Sequence, residues 1–470
     1  MSRLLCVDFG STFTKAVLVE TDDGTLVASS SHPTTVATDV LHGYQALRET
    51  LGAERVDDVL ACSSAGGGLR LAVVGYERQV TAEAGHRVGL SAGAKVVHVS
   101  AGPMDAAAVT ALREARPDVV LLVGGTDGGN AEVLRHNARR LGIARLPAPV
   151  VLAGNASASD DAADELTSRG RRVIVAANVL PRIGVLDPVG ARAAIREVFI
   201  RHVIGGKGLS RGRTFASMVR AATPDVVLSG VEVLADGYGD VRGAGDVLVV
   251  DVGGATTDVY SVLTPEGEDA SLRKEVVATL WRARTVEGDL GMRWNAPGVV
   301  EAARAAGLLD GAAHDSAPVD GGPGGPRGAA AERASEADRL ARYASAMAAD
   351  PSSLPVDDAE HRLDVTLAGL AVTTALRRHG RPSAPGLAPR PLADVRLVVG
   401  SGGVLRHHDD AARARMLAPA VSDHGGGWRV PSSARLAVDD RYVLFAAGLL
   451  AEHEPRAAAL LATNALHQLA

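Results

Sequence analysis

One short pattern occurs twice in this 470-residue chain, once near its start and once in its second half. In each copy an aspartate follows an apolar run, a glycine comes two positions later, threonines follow, and a second β-rich run comes next. The copies are Asp8–Thr14 (the first hairpin), between Leu4–Val7 and Ala16–Val19, and Asp251–Asp258 (the second hairpin), between Val247–Val250 and Val259–Val262. Each predicts a β-hairpin whose tip is lined with backbone N–H groups and hydroxyls. Two such tips, one in each half of the molecule, predict a nucleotide held from two sides.

The residue types of the first hairpin suit phosphate binding. Gly10 has no Cβ and lets the backbone approach a phosphate, while Ser11 and Thr12 offer N–H and O–H donors. A carboxylate repels a phosphate, so Asp8 predicts a Mg²⁺ ion between the two, bridged through water. Lys15, on the outgoing strand, adds a positive charge toward the phosphates.

The second hairpin repeats this chemistry. We expect Asp251 to orient the metal ion or an attacking water, and Gly253 and Gly254 to allow close approach. Thr256 and Thr257 supply donors, and Thr256 contacts a phosphate as Thr12 does in the first copy. Each hairpin taken alone is equally compatible with a simple glycine-containing β-turn capped by Asp.

A third glycine-rich segment follows the strand predicted at 395–399. Here Gly400, Ser401, Gly402 and Gly403 form a predicted strand-to-helix turn (the glycine turn). Backbone without side chains can approach a ligand closely, so this turn adds a third candidate contact for the nucleotide.

Composition excludes several classes of function. The net charge of -6 argues against a nucleic-acid-binding surface, which needs a clustered basic face. No apolar run reaches the roughly 18 residues of a membrane span, and the start is acidic too early for a signal peptide. Cys6 and Cys62 lie in apolar stretches and are predicted to be small buried hydrophobes in a reducing compartment. We therefore expect a cytoplasmic protein without nucleic-acid or membrane partners.

The chain alternates predicted strands and helices, which indicates an α/β fold with parallel sheets. Strands are predicted near 94–99, 118–123, 149–153 and 171–177, with Asp105 and Asp160 as helix N-caps. The predicted domains are 1–65 with the first hairpin, 66–205 as an α/β insertion or partner domain, and 206–470 with the second hairpin and the glycine turn. Residues 310–335, rich in Gly, Pro and Ala, predict a flexible surface loop.

The three glycine motifs resemble those of the actin, Hsp70 and sugar-kinase superfamily. Asp8–Thr12 is similar to its first phosphate motif, Asp251–Asp258 to its second, and Val398–Leu405 to its adenosine motif, while Lys15 matches a phosphate-contacting lysine of actin-like members. The resemblance implies a two-lobed ATPase with ribonuclease H-like lobes and an α/β insertion in the first half. It implies MgATP between the lobes, with Asp8 and Asp251 toward the metal.

Four strings together resemble a narrower family, the MutL-type accessory proteins of glutamate (methylaspartate) mutase. They are Asp8–Lys15, Leu122–Asn130, Asp251–Asp258 and Thr285–Arg293. The resemblance covers nearly the whole chain except 310–335. It implies an ATP-dependent reactivating chaperone for the subunits of an adenosylcobalamin-dependent mutase, in which the cobalamin belongs to the partner enzyme. The sequence leaves open which mutase this is, and whether the chain forms a homo-oligomer.

Two other functions stay open at this stage. A small-molecule kinase on the same fold needs a general base outside the phosphate loops, and the sequence points to none. A nucleotide-dependent filament protein needs a long self-complementary surface, which one sequence cannot reveal.

Three further motifs have alternative interpretations. The N–H groups of Gly124–Asn130 either hold an anion or contact a partner, or they form a capped strand-to-helix turn. Glu287–Gly291 either borders the nucleotide or forms a helix-entry turn. His407–Asp410 is predicted to be a solvated helix start and not a metal site, because adjacent helical positions face different ways.

Overall fold

The strands form three larger sheets in a computed structural model of the protein. The structure describes residues 2–65, 68–78, 80–204, 208–264, 281–309, 326–382, 389–427, 430–431 and 433–469. The chain divides into two units. The first comprises Met1–Ala244, Ser261–Arg284 and Arg441–Ala465, and the second comprises Gly245–Tyr260, Thr285–Asp440 and Leu466–Ala470.

The sheet that carries the first hairpin has five strands. Their order across the sheet is Val219–Ala222, Asp58–Ser63, Arg3–Phe9, Phe13–Glu20 and Thr25–Pro33. The first three strands of the chain form an antiparallel meander, and the other two run parallel to the first. The side chains of Leu5 and Cys6, which point to opposite faces, are both fully buried. Both faces of the sheet are therefore covered where its central strand runs.

A second sheet in the same unit is parallel throughout. Its order is Ala94–Ala101, Leu69–Gly75, Val119–Leu122, Val150–Leu152 and Val173–Val175. The strands predicted near 94–99, 118–123, 149–153 and 171–177 are confirmed, whereas sequence analysis did not assign Leu69–Gly75. Apolar strands covered by helices on both faces account for their continuous hydrophobic runs.

The sheet that carries the second hairpin repeats the order of the first one. Its strands are Arg282–Glu287, Thr257–Val262, Val247–Val252, Leu397–Ser401, Arg435–Val438 and the short His467–Gln468. In both sheets the hairpin strand and its successor lie on one side of the first strand, and two parallel strands lie on the other; in the six-stranded sheet the antiparallel His467–Gln468 adds an edge strand there. This duplication confirms the predicted α/β fold class with two related units.

Helices cover the sheets of each unit. In the first unit they are Val40–Thr50, Thr81–Ser91, Ala106–Glu114, Glu132–Ala144, Ser159–Thr167, Val189–Val198, Arg213–Met218, Thr223–Asp236, Val443–Leu450 and Pro455–Asn464. In the second unit they are Ala296–Ala305, Pro326–Ala349, Asp358–Gly380, Gly403–Arg406, Asp410–Leu417 and Pro419–Ser422. Ala156–Ala158 is a 3₁₀ turn, Phe199–Ile204 a π turn, and Gly237–Tyr238 pairs with Val241–Arg242.

Three local predictions have clear outcomes. Asp105 caps its helix as expected, since its Oδ1 accepts from the Ala108 N–H at 2.8 Å. The N-cap predicted at Asp160 is wrong, because a 3₁₀ turn precedes the helix and Asp160 falls inside its first turn. Cys6 and Cys62 are buried free thiols, and burial raises the pKa of Cys6 to about 12.

The predicted 310–335 loop needs a correction. Residues 310–325 lie outside the described residues, but a helix already begins at Pro326 and runs to Ala349. The loop prediction is therefore wrong over its last ten positions. Proline fits the first turn of a helix, and the alanines that follow favour helix, so the end of this low-complexity segment has a helical preference of its own. Among the described residues, no helix is long and apolar enough to cross a membrane.

Candidate functional site

The first hairpin forms a tight turn that depends on glycine. Its strands pair Phe9 with Thr14 across the turn. A Cβ on Gly10 would lie 2.5 Å from the carbonyl oxygen of Phe13, so a larger residue cannot occupy this position without moving the backbone. Ser11 and Thr12 lie exposed at the tip. The two predicted donors are therefore accessible to a ligand.

Asp8 lies directly beneath this tip and is only 1% exposed. Its Oδ1 accepts a hydrogen bond from the Thr223 hydroxyl at 2.6 Å and one from Cys62 Sγ at 3.6 Å. Its Oδ2 lies 3.3 Å from Lys15 Nζ, which also sits 4.9 Å from the centre of the Tyr442 ring. Burial, and secondly the Asp8 charge, raise the pKa of Cys62 well above its usual value, so this thiol stays protonated.

Sequence analysis missed Thr223 and Tyr442. Each stands at the start of a helix, Thr223–Asp236 and Val443–Leu450, and the two helices pack closely. A Cβ on Gly448 would collide with the carbonyl oxygen of Val226, so the two helix backbones touch. No local signal marks these residues, because their role arises from contact with a strand far away in the sequence.

The second hairpin closes with a hydrogen bond from the Gly253 N–H to the Thr256 carbonyl at 2.9 Å. The Thr256 hydroxyl donates to Asp258 at 3.1 Å, and the residue is partly exposed. Thr257 is fully buried, and its hydroxyl donates to the Leu290 carbonyl at 2.6 Å. Thr256 is therefore presented near the tip, while the Thr257 hydroxyl ties the hairpin to the neighbouring segment.

That neighbouring segment grips the second hairpin through its backbone. The N–H groups of Met292, Arg293 and Trp294 donate to the carbonyls of Gly253 or Gly254 at 2.8 to 3.0 Å. The side-chain amide of Asn295 donates to the carbonyls of Ala255 at 2.7 Å and Gly288 at 2.8 Å. The sequence placed Glu287–Gly291 near the nucleotide or at a helix entry, and it included Met292 and Arg293 only as the end of the family-like string Thr285–Arg293, with no role assigned to them.

Arg378 organises the turn that begins this segment. It donates to Glu287 at 2.8 Å and to both oxygens of Asp289 at 2.6 and 2.8 Å. Burial raises the pKa of Glu287, whereas the hydrogen bonds from Arg378 lower the pKa of Asp289. The turn is therefore fixed by Arg378 of helix Asp358–Gly380, and it carries Glu287, whose raised pKa makes it easier to protonate than an exposed glutamate.

The glycine turn lies at the same sheet edge as the second hairpin. Strand Leu397–Ser401 runs parallel to Val247–Val252, and Ser401 pairs with Asp251. Gly402 has a φ of 106°, and a Cβ there would collide with the Val252 carbonyl and lie 3.1 Å from Asp251 Oδ1. Gly403 is exposed with open space around it, and Gly400 is buried beneath. The structure thus brings Asp251 together with the predicted adenosine turn.

Two other sequence motifs are structured by polar contacts. In the Gly124–Asn130 loop, Asn155 and Asn178 donate to loop carbonyls, and Asp127 accepts from the Ala156 N–H at 2.8 Å. The solvated helix start predicted at His407–Asp410 is confirmed, since Asp409 caps Asp410–Leu417. Within the described ranges, no group of three or more His, Cys, Asp or Glu side chains is arranged to hold a metal ion.

The chain is similar in sequence to known proteins over nearly its full length. A family model described as MutL protein matches residues 4–466. Protein MutL of Clostridium tetanomorphum is 32% identical, covering 97% of this chain and 97% of that protein.

Similarity to solved structures is more distant. A nucleotide-free acetone carboxylase is 15% identical, covers 95% of this chain and 70% of its own, and has a TM-score of 0.37. The ADPNP-bound activator of 2-hydroxyisocaproyl-CoA dehydratase from Clostridium difficile is 10% identical, covers 97% and 95%, and scores 0.30. A xylulose kinase from Lactobacillus acidophilus is 12% identical, covers 100% and 93%, and scores 0.33. The fold assignment rests on the sheets described above.

Proposed function

Because this chain belongs to the MutL protein family, we propose that it is an ATP-dependent reactivating chaperone for an adenosylcobalamin-dependent carbon-skeleton mutase, with glutamate (methylaspartate) mutase as the first candidate. The observation that carries the proposal is the family match over residues 4–466, which includes both hairpins and the glycine turn. The cobalamin belongs to the mutase, and ATP belongs to this chain.

ATP binding is supported by the chemistry of the three glycine segments. Ser11 and Thr12 present donors on the first hairpin, and Thr256 presents one on the second. Gly402 lets the backbone pass where a side chain would strike Val252. In this proposal the hairpins bind the phosphates and the glycine turn receives the adenosine, as a slow ATPase requires.

A Mg²⁺ ion fits these residues only through water at Asp8. Both oxygens of that carboxylate already have partners in Thr223, Cys62 and Lys15, but a carboxylate keeps lone pairs for water. Asp8 and Asp251 would hold the ion, which neutralises phosphate charge when bound. Phosphoryl transfer to water needs mainly positioning and charge neutralisation, and Lys15 supplies a fixed charge for this.

The partner contact is assigned to the 66–205 segment. Its parallel sheet, with the Gly124–Asn130 loop at the carboxyl end of strand Val119–Leu122, is separate from the sheet that carries the first hairpin. In the proposal, ATP hydrolysis loosens the hold of the hairpins on the phosphates. The 66–205 segment then transmits the resulting movement to the mutase.

The test combines the purified protein with a cobalamin-dependent glutamate mutase inactivated by damaged cofactor. We expect recovery of mutase activity only with ATP, Mg²⁺ and fresh adenosylcobalamin, and slow ATP hydrolysis that the mutase stimulates. Phosphorylation of a small acceptor would instead support a kinase, and nucleotide-dependent light scattering a filament protein. If Asp8→Ala and Asp251→Ala both left ATP binding and turnover intact, the assignment of the hairpins would be wrong.

A further inference from the structure

The second hairpin lacks the basic residue that the first one carries. Aligning the two copies on their aspartates pairs Lys15 with Asp258. In the first copy, Lys15 Nζ lies 3.3 Å from Asp8 and places a cation beside the tip. In the second, the equivalent carboxylate accepts a hydrogen bond from Thr256 at 3.1 Å. The second copy, residues 251–258, contains no Lys or Arg, so a side-chain cation beside its tip has to come from another part of the chain.

We propose that Arg293 supplies this charge and contacts the phosphates of ATP at the second hairpin. Its backbone N–H donates to the Gly254 carbonyl at 2.8 Å. A Cβ on Gly254 would lie 3.8 Å from both Cβ and Cγ of Arg293, so the arginine side chain starts beside the hairpin tip. Gly254 corresponds to Ser11, one of the exposed donors of the first hairpin. The inference rests on the proposed ATP binding and extends it to a residue outside the repeated motif.

The guanidinium group is held in place before any ligand arrives. Its Nη1 donates to the Met292 carbonyl at 2.8 Å and to Asp364 Oδ1 at 3.0 Å, and the side chain is 13% exposed. Within the described residues Nε and Nη2 make no hydrogen bond, so they keep N–H groups for a phosphate. A guanidinium suits this role because its charge is permanent and its donors are fixed in one plane.

Asp364 is the positioning residue for this arginine. It is 1% exposed on helix Asp358–Gly380, and the same Oδ1 accepts from the Tyr343 hydroxyl at 2.9 Å. Burial and the neighbouring carboxylate raise the pKa of Tyr343, so its hydroxyl remains a donor. Arg293 is thus anchored by its backbone to the hairpin and by its guanidinium group to Asp364 on helix Asp358–Gly380, and Tyr343 holds that carboxylate from helix Pro326–Ala349.

A purely structural role for the Arg293–Asp364 pair makes a different prediction, and the chain offers a matched control. Arg377, on the same helix as Asp364, makes a two-pronged pair with Asp423 at 2.7 and 2.8 Å, and its side chain is 20% exposed against 13% for Arg293. Among the described residues, neither Arg377 nor Asp423 forms a hydrogen bond with residues 251–258. Arg377→Gln therefore reports what the loss of a shielded ion pair does to the second unit without removing the proposed phosphate contact.

The experiment measures the affinities of the full chain for ATP, ADP and AMP by calorimetry, alongside thermal unfolding. We expect Arg293→Gln to weaken ATP binding about tenfold to one-hundredfold, with a smaller loss for ADP and little change for AMP, because charge-assisted contacts to the terminal phosphates disappear. Arg293→Lys keeps the charge and should recover part of the loss. Arg377→Gln should lower the unfolding temperature and leave the ratio of ATP to AMP affinity at its wild-type value.

Each outcome decides the question. If Arg293→Gln keeps the wild-type ratio of ATP to AMP affinity, as the control does, Arg293 is a structural brace and the inference is overturned. Should Arg293→Gln not fold, Arg293→Met, which also removes the charge, is measured in its place. A stable Arg293→Met with the wild-type ratio of ATP to AMP affinity overturns the inference, and a lowered ratio supports it. Failure of the wild-type chain to bind ATP at all overturns the proposed function and this inference together.

Discussion

The two hairpins share one sequence pattern and differ in what supports them. The first is supported by side chains, because Thr223, Cys62 and Lys15 surround the buried carboxylate of Asp8. The second is supported by backbone, because the N–H groups of 292–294 bind the carbonyls of its two glycines. The same turn can thus be fixed in two ways, by a buried charge with partners or by a docked segment. The positive charge beside the first hairpin comes from Lys15 on its own strand. The positive charge beside the second hairpin is proposed to come from Arg293, which lies outside the repeated motif.

One position of the repeat has the same role in both copies. Thr14 and Thr257 are both fully buried, and each hydroxyl contacts the segment that lies beside the hairpin. Thr14 meets the Thr34 hydroxyl at 3.1 Å, and Thr257 donates to the Leu290 carbonyl at 2.6 Å. At this position the threonine attaches the hairpin to its own unit, and Thr257, which the sequence predicts as a phosphate donor, uses its hydroxyl for this contact.

The largest expected difference between the hairpins is at their aspartates. Asp8→Ala leaves the Thr223 hydroxyl and Lys15 without their buried acceptor, so we expect the free energy of unfolding to fall by about 3 kcal/mol. Asp251 is only partly buried, and its replacement by Ala should cost about 1 kcal/mol. Both variants should lose ATP turnover. Urea unfolding measured with ATP hydrolysis checks this, and equal stability losses would contradict the contrast.

The glycine turn tests how closely the second hairpin depends on its neighbour. Gly402→Ala places a Cβ against the Val252 carbonyl at a positive φ, and we expect a loss of roughly 2–3 kcal/mol in unfolding free energy. Gly403→Ala, one residue later, meets open space and should change stability by less than about 1 kcal/mol. Thermal unfolding of the two variants side by side measures the difference. Equal values would show that the turn adapts without strain.

Thr223 tests the side-chain support of the first hairpin. Thr223→Val keeps the shape but removes the donor to Asp8, and we expect about 1–2 kcal/mol less stability and a lower kcat for ATP hydrolysis. Thr223→Ser restores the hydroxyl and should recover most of both. Thr366→Val, at an exposed helical threonine, is the control for a β-branched substitution. If Thr223→Val has the same stability and the same kcat as Thr223→Ser, a positioning role for the hydroxyl is excluded.

The smallest expected effect is a pH dependence in the second unit. Burial lowers the pKa of His379 well below its usual value, and its Nδ1 lies 2.9 Å from the Thr285 hydroxyl on strand Arg282–Glu287. The pKa of His379 is lower in the folded state than in the unfolded state. The stability that its neutral form contributes is therefore fully present above about pH 6.5 and is lost as pH falls toward the folded-state pKa, by up to about 1.4 kcal/mol per pH unit.

Urea unfolding at pH 7.0 and 5.5 measures this slope. His379→Gln should flatten it, whereas His453→Gln, at an exposed histidine of the first unit, should keep it. An unchanged slope in His379→Gln would assign the acid sensitivity to other groups.

Much of the fold was predictable because its signals are local. Apolar runs of four to seven residues next to turn residues mark several of the strands, among them Arg3–Phe9, Val119–Leu122 and Val247–Val252. The strand Leu69–Gly75 escaped prediction although most of its residues are apolar and Gly66, Gly67 and Gly68 precede it, so a local signal was present here. The end of the 310–335 segment was misassigned because composition alone was weighed, while alanine after Pro326 favours helix.

The candidate site was predictable only in part. The hairpins and the glycine turn could be named from sequence because the donors and the glycines that expose them are adjacent in the chain. The roles of Thr223 and Arg293 could not be predicted, because each depends on a distant partner. Thr223 contacts Asp8, 215 residues away, and Arg293 contacts Asp364, 71 residues away.

By itself, the sequence determined that two Asp-Gly hairpins exist and that each follows a buried strand, because turn chemistry and apolar alternation act over a few residues. The tertiary structure alone decided how each hairpin is supported, which threonine is buried, and that Gly402 lies against Asp251. The physical reason is that the energy of a buried charge or a docked backbone depends on whatever lies within a few ångströms, and folding brings distant segments to that distance.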